Sequence, residues 1–446
     1  MNTSIKVDFE KTMGKIKPMH SVGQPPFIGI NYSYMHYLQD AHVPYARLHD
    51  VGGLFGGNLY VDVPNIFRDF DADENDPENY DFAFTDLLLK NLHEYGCEPV
   101  YRLGITIECY QHIRRYRTDP PKDYGKWARI CEHIIRHYNE GWADGFEFGI
   151  KYWEIWNEPD GNIAPEDNGM WYGTKEQFYE LYKVAALHLK GCFGDKIKIG
   201  GYGSCGFHWC DERIDEKELS VAFTTINTIK WQKRIRYFIE FFEGFMDMIV
   251  KDNVPLDFFT FHSYAGVKSN LLRQKYLDSR LEEYGLSHIE THLNEWNPNP
   301  YADMRGKSIA SANVAATMCA MQNTSVSMLN YYDARIGISV YAGLFNPITY
   351  KPFCTYYSIY AFGKLYDMGT QCETSCDNED VYVLGATNGE KSGLLIANIG
   401  ADTCITVDSD KSFKAFLIDE DNHFVEIEID TASFELKENQ TIYLEA

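Results

Sequence analysis

The sequence predicts an α/β fold, a (β/α)8 TIM barrel joined to a small antiparallel β-sandwich, and three observations lead there. From residue 27 onward short apolar runs alternate with longer segments of helical period, as parallel strands joined by crossover helices require. Two of those runs end in the dipeptide Asn-Glu, at Asn157-Glu158 and Asn294-Glu295, and strand ends are where a barrel gathers its chemistry. After about residue 366 the pattern changes to short alternating strands with turn signals such as Asn388-Gly389, which reads as an antiparallel sandwich.

Eight strand candidates carry the barrel: Phe27 to Asn31, Tyr45 to His49, Pro99 to Ile105, Tyr152 to Asn157, Ile197 to Gly201, Leu256 to His262, His292 to Glu295 and Met328 to Tyr332. Between the third and fourth, Trp127, Ile130, Cys131, Ile134, Ile135 and Tyr138 recur at helical spacing behind a capping Asp123,. After the fourth, Thr174 and Gln177 have capping-box spacing, and the stripe Phe178, Leu181, Tyr182, Ala185, Leu189 ends at Gly191,. The catalytic barrel is placed at 27–365, and residues 1–26 plus 366–446 form the sandwich, to which Ile5 to Phe9 adds a strand. At 446 residues the chain is long enough for both,. Periodicity alone also fits a doubly wound open sheet, and the chemistry at the strand ends decides for the barrel.

Lys and Arg total 41 against 65 Asp and Glu, a net charge of −24, which repels phosphate backbones and excludes nucleic acid as a partner. No apolar run reaches membrane-spanning length, so no membrane partner is expected. The N-terminus lacks a secretory pattern, and the eleven cysteines are scattered without paired spacing, which indicates reduced residues and a cytoplasmic location. Neither a metal nor an organic cofactor is called for. Aromatic residues make up 15% of the chain; they suit sugar faces, although a large core consumes many of them.

The segment Tyr152 to Asp160 begins as a strand and stops at Pro159, which cannot donate a ladder hydrogen bond,. Asn294-Glu295 likewise precedes Trp296-Asn297-Pro298. Two glutamates across one pocket are the minimum apparatus for cleaving a glycosidic bond, one protonating the leaving oxygen and the other attacking the anomeric carbon or activating water. One must hold a proton near neutrality while the other stays ionised. Arg47 and His49 share a face of the second strand, as His262 and Tyr264 do on the sixth,.

The motifs Glu-Ile-Trp-Asn-Glu-Pro-Asp at 154–160, Pro-Pro-Lys-Asp-Tyr-Gly-Lys-Trp at 120–127 and Arg-x-His at 47–49 resemble those of glycoside hydrolase family 39, whose members include β-xylosidases and α-L-iduronidases. The resemblance runs from about residue 27 to 365. It implies Glu158 as acid/base, Glu295 as nucleophile, Asn157 on the sugar 2-hydroxyl and His49 on sugar hydroxyls. It further implies that Arg47 and Tyr264 hydrogen-bond the nucleophile and that His262 lies close to the acid/base. Trp296 and Trp171 are candidate sugar platforms.

Three positions depart from the family: Asp50 replaces a glycine, Arg102 an acidic residue, and Tyr331, Tyr332 and Asp333 stand where a tryptophan is common. Arg102 or Arg335 offers a cation for a substrate carboxylate, while the net charge disfavours uronate polymers. The reading that results is a retaining, exo-acting, β-xylosidase-like hydrolase of an oligosaccharide or small glycoside. An α-L-arabinofuranosidase, or another glycosidase with the same glutamates, is the alternative within enzymes, and a silent carbohydrate-binding barrel the alternative outside them. The tyrosine-rich stretch from Tyr341 to Tyr366 reads first as the last barrel helix and core, and second as a surface for a homo-oligomer.

Overall fold

A computed structural model describes residues 2–29, 32–51, 61–106, 118–206, 229–337, 341 and 343–446. Eight parallel strands close into a barrel: Ser21–Gly23, Tyr45–Leu48, Glu98–Leu103, Tyr152–Ile155, Lys198–Ser204, Phe258–Ser263, Glu290–Trp296 and Met328–Tyr331. Each is followed by a helix, from His36–Asp40 after the first to Cys354–Met368 after the last.

The first barrel strand corrects the sequence reading. It is Ser21–Gly23, hydrogen-bonded between the eighth and second strands, whereas Phe27–Gly29 pairs with Tyr32–Ser33 as a separate hairpin. Of the expected strand, Ile30 and Asn31 lie outside the described residues. The barrel position went to the small residues because both faces of the strand are fully covered, with all three residues buried.

The helices follow from local chemistry. Asp123 accepts a hydrogen bond from the Lys126 amide at 2.9 Å and starts Tyr124–Asn139, whose buried stripe includes Trp127, Ile130, Ile134 and Tyr138. Thr174 and Gln177 form a complete capping box at the start of Lys175–Phe193, satisfying two otherwise orphaned amides. That helix runs past Gly191 and ends at Gly194, whose φ of +55° suits glycine,.

The remaining strands build one nine-stranded sheet in which Asn2–Lys15 lies between Thr370–Cys376 and Thr403–Asp408. Along Ser392–Asn398 the side chains alternate: Leu395 and Ala397 join the barrel's core, and Leu394 and Ile396 a separate core with Ile5, Val7 and Phe9. One face of the curled sheet is thereby anchored on the last barrel helices, and the other closes on itself as the sandwich. Tyr356 and most of Cys354–Met368 are buried, so this part of the tyrosine-rich stretch is helix and core.

Inside the barrel an apolar plug of Val100, Tyr152, Phe258 and Met328 fills the lower end. Polar side chains begin one layer above it, so the chemistry is confined to the C-terminal mouth.

Candidate active site

The floor of the mouth is a buried ion pair. Arg47, on the second strand, donates through Nε to Glu154 Oε2 at 2.7 Å. Glu154, on the fourth strand, also accepts from Thr260 Oγ1 at 2.7 Å and Asn294 Nδ2 at 2.6 Å. Both charges are almost completely buried, so each must be paired and hydrogen-bonded to be tolerated. The other guanidinium nitrogens reach upward: Nη2 donates to Asn157 Oδ1 at 2.5 Å and Nη1 to Glu295 Oε1 at 3.4 Å. Arg47 thereby fixes the orientation of the Asn157 amide through its carbonyl oxygen.

Strict strand alternation would not bring neighbouring residues into one pocket, and two local devices overcome this. On the seventh strand a β-bulge between Leu293 and Glu295 lets Asn294 bond Glu154 while Glu295 also faces inward,. After the fourth strand, Trp156 and Glu158 adopt φ of +70° and +46°, turning Asn157 and Glu158 both toward the mouth. The Glu158 amide is tied to the carbonyls of Tyr202 and Gly203 at 3.1 Å each. Asp160 accepts from Ser204 Oγ at 2.6 Å and the Cys205 amide at 3.1 Å, fastening the Glu158 turn to the end of the fifth strand. Gly203, at φ +64°, leaves room that a Cβ would take within 3.1 Å of Asn157 Oδ1 and His262 Nε2.

The two glutamates face one another across His262. Its Nδ1 lies 2.7 Å from Glu158 Oε1 and 3.1 Å from Glu295 Oε2, and carboxylate oxygens of the two glutamates lie within 4.8 Å of each other. Tyr264 donates its hydroxyl to Glu295 Oε2 at 3.0 Å. Their proton affinities are driven apart. Burial raises the Glu158 carboxyl, and repulsion from Glu295 and Asp160 adds to it against the pull of His262. Burial also acts on Glu295, but the charge and hydrogen bond of His262, and then Arg47, override it and hold this carboxyl well below the usual range. Burial would lower His262; Glu295 and Glu158 reverse that and raise it to about 9. A raised proton affinity favours His262 as a hydrogen-bond donor to the two carboxyls,. A second group with ligand chemistry, Glu132, His188 and Cys192, lies on two barrel helices away from the mouth.

His49 follows the second strand with Nε2 3.3 Å from Asp50 Oδ1. Burial, then the charges of Arg102 and Arg47, push its pKa well below the ordinary value. Trp296 corrects the expectation of a sugar platform: it is fully buried, edge-to-face on Tyr331 at 5.4 Å. Trp171 is likewise buried, donating its indole N–H to the Thr174 carbonyl. The aromatic wall beside Glu295 is instead Tyr264, Tyr332 and Tyr341, with Tyr264 stacked on Tyr341 at 5.2 Å and Tyr332 edge-on to it at 4.9 Å. Both arginines considered for a substrate carboxylate are already paired, Arg102 with Asp62 at 2.7 Å and Arg335 with Asp333 at 3.0 Å.

Thr260 and Gly203 were not singled out by the sequence, and Glu154 and Asp160 stood in the motif at 154–160 without a role assigned to them. Glu154 carries the one usable signal, because it stands four residues before Glu158 on an inward-facing strand parity.

A closed barrel with two opposed glutamates at its mouth defines the class, that of the barrel glycosidases. The sequence pattern of glycosyl hydrolases family 39 matches residues 3–300, and the chain belongs to this family, whose substrates are carbohydrates. Among characterised relatives it is 24% identical over 270 residues to a β-xylosidase of Caldicellulosiruptor saccharolyticus, covering 55% of this chain and 46% of that protein. It is 26% identical over 176 residues to a β-xylosidase of Geobacillus stearothermophilus, covering 35% and 33%. The matches thus span less than half the length of these relatives. In structure the whole chain superposes on a glucosidase from Croceicoccus marinus (TM-score 0.77, 18% identity, 100% and 99% of the two chains). It also superposes on a family 39 β-xylosidase from Caulobacter crescentus (0.67, 15%, 99% of both); at these identities the likeness is one of fold. No helix among the described residues is long and apolar enough to cross a membrane.

Proposed function

We propose that the protein is a retaining, exo-acting glycosidase that cleaves a β-xyloside-like pentoside by double displacement. The observation that carries this reading is the approach of the two carboxylates, within 4.8 Å at their oxygens, together with surroundings that move their proton affinities in opposite directions. A separation of about 5 to 5.5 Å leaves no room for an intervening water and belongs to retention. Glu295, ionised, attacks the anomeric carbon as Glu158 gives its proton to the leaving oxygen. Glu158, now a base, takes a proton from water, the resulting hydroxide displaces Glu295 from the sugar, and the starting protonation states return. Arg47 and Tyr264 hold Glu295 in its attacking position, and Asn157 offers an amide donor to the sugar. The barrel is the catalytic unit and the curled sheet its support. The nine described cysteines are all free, which fits a reducing cytoplasmic compartment.

Pentoside specificity is supported by the two β-xylosidase relatives. The whole-chain likeness to a glucosidase keeps a hexoside with the same glutamates as the second reading, beside an α-L-arabinofuranosidase. Aryl glycosides of different sugars distinguish these. Glu295→Gln and Glu158→Gln should each lower turnover by orders of magnitude, with azide restoring only the Glu158 variant on an activated substrate. Wild-type turnover by either variant excludes the mechanism, and ligand-induced stabilisation without turnover in the native protein would mark a silent binding barrel.

A further inference from the structure

We propose that Glu132, His188 and Cys192 form a binding site for a zinc-type divalent cation on the outer helical layer of the barrel, completed by water as the fourth ligand. The site lies away from the two opposed glutamates, and its test does not depend on the glycosidase reading.

Two neighbouring helices bring the three residues together. Glu132 is on Tyr124–Asn139. His188 and Cys192, four residues apart on Lys175–Phe193, share one face of that helix. His188 Nε2 lies 2.6 Å from Glu132 Oε2 and 3.8 Å from Cys192 Sγ, and one ligand atom from each residue falls within 4.8 Å of the other two. Tetrahedral zinc, with bonds of about 2.0 to 2.3 Å, sets its ligand atoms roughly 3.3 to 3.7 Å apart. Side-chain adjustments of about 1 Å therefore admit the ion.

The donor set selects the kind of metal. Magnesium and calcium take oxygen ligands, whereas a carboxylate, an imidazole and a thiolate together suit zinc. Glu132 is oriented for this role: Arg136, one turn further along its helix, donates through Nε to Oε1 at 2.8 Å, while Oε2 faces His188. The Glu132 and His188 side chains are 14% and 31% exposed and Cys192 is exposed, so the cation and its water reach the site from solvent.

Cys192 occupies the last turn of its helix, where the negative end of the helix dipole favours a cation. Burial and the Glu132 carboxylate raise the proton affinity of its thiol; a cation between them cancels that repulsion. Binding expels the thiol proton to solvent, and the proton between Nε2 and Oε2 leaves that position so that His188 presents its lone pair. The strand Tyr152–Ile155, which leads to Glu158, lies between these two helices in the chain. A bound ion thus ties the helix before the acid/base strand to the helix after it.

The test uses the full chain freed of metal by EDTA and titrated with Zn2+ alone in a calorimeter, with Co2+ as the optical probe, for the native protein, Cys192→Ala and His188→Gln. The native protein should bind one Zn2+ with a Kd of about 1 μM or tighter and show a sulfur-to-cobalt charge-transfer band. Its thermal midpoint should rise by about 3 °C when zinc is about 100-fold above Kd. Each variant should bind zinc at least about 30-fold more weakly, and Cys192→Ala should lose the band. Cys192→Ala removes an exposed side chain, so its metal-free midpoint should stay within about 1 °C of the native value, and lost binding then reads the ligand alone. Absence of stoichiometric zinc binding, or a band and affinity unaltered in Cys192→Ala, overturns the site. Zinc held equally by the native protein and Cys192→Ala with inhibition of turnover also overturns it, because the ion would then sit among Glu158, His262 and Glu295.

Discussion

His262 Nδ1 shares a hydrogen bond of 2.7 Å with Glu158 Oε1. The same nitrogen is 3.1 Å from Glu295 Oε2, so one imidazolium lowers the proton affinity of both carboxyls. Double displacement as proposed requires Glu295 ionised and Glu158 protonated, which assigns the acid limb of the pH profile to Glu295 and the alkaline limb to Glu158. His262→Gln should therefore shift both limbs of kcat/KM upward, by roughly one pH unit each. Unmoved limbs would show that His262 does not set these protonation states.

The same residue links pH to stability. Its folded pKa, about 9, lies above the ordinary 6.5, so its contribution is fully present below about 6.5 and lost as pH rises through 9. The difference in thermal midpoint between the native protein and His262→Gln should accordingly shrink between pH 7 and 10. A difference that is constant or grows over that range contradicts the assignment.

Asp160 raises the proton affinity of Glu158. The causes that shift Glu295 are burial, His262, Arg47 and His49. Asp160→Asn should move the alkaline limb to lower pH and leave the acid limb in place, a pattern opposite to that of His262→Gln on the shared limb.

Removing one partner of the buried floor leaves the other unpaired. Arg47→Met strands Glu154 at 0% exposure and should cost roughly 3 to 5 kcal/mol. The double variant Arg47→Met/Glu154→Gln should recover part of that loss in chemical denaturation while remaining impaired in turnover.

Gly203→Ala adds a methyl group 3.1 Å from Asn157 Oδ1 and His262 Nε2 and 3.3 Å from Arg47 Nη2, on a backbone at positive φ. A fall in kcat/KM of about 100-fold is expected, against a stability cost of only about 1 to 2 kcal/mol.

Much of this arrangement was legible in the sequence because it is carried by repeating patterns. Seven barrel strands and the capped helices after Asp123 and Thr174 follow from apolar period and cap chemistry. Asn157-Glu158 and Asn294-Glu295 stood out because each ends such a run before a proline. The first strand was hidden because Ser21–Gly23 is small and short, while Phe27-Ile28 nearby is strongly apolar. Thr370–Cys376 and Phe434–Leu436 escaped for related reasons, one being polar and the other only three residues long. The bulge before Glu295 and the positive φ at Trp156 and Glu158 leave no mark in residue pattern, because tertiary contacts impose them. The burial of Trp296 was equally unreadable, since a tryptophan at a strand end serves a core or a sugar with the same local sequence.

The central claim is that Glu295 and Glu158 act by double displacement, and the anomer first released by the native protein from its best aryl glycoside tests it most directly. Followed by proton NMR before mutarotation, the product should appear with the anomeric configuration of the substrate. Initial appearance of the opposite anomer would contradict the account, because it would require water, and not Glu295, to attack the sugar.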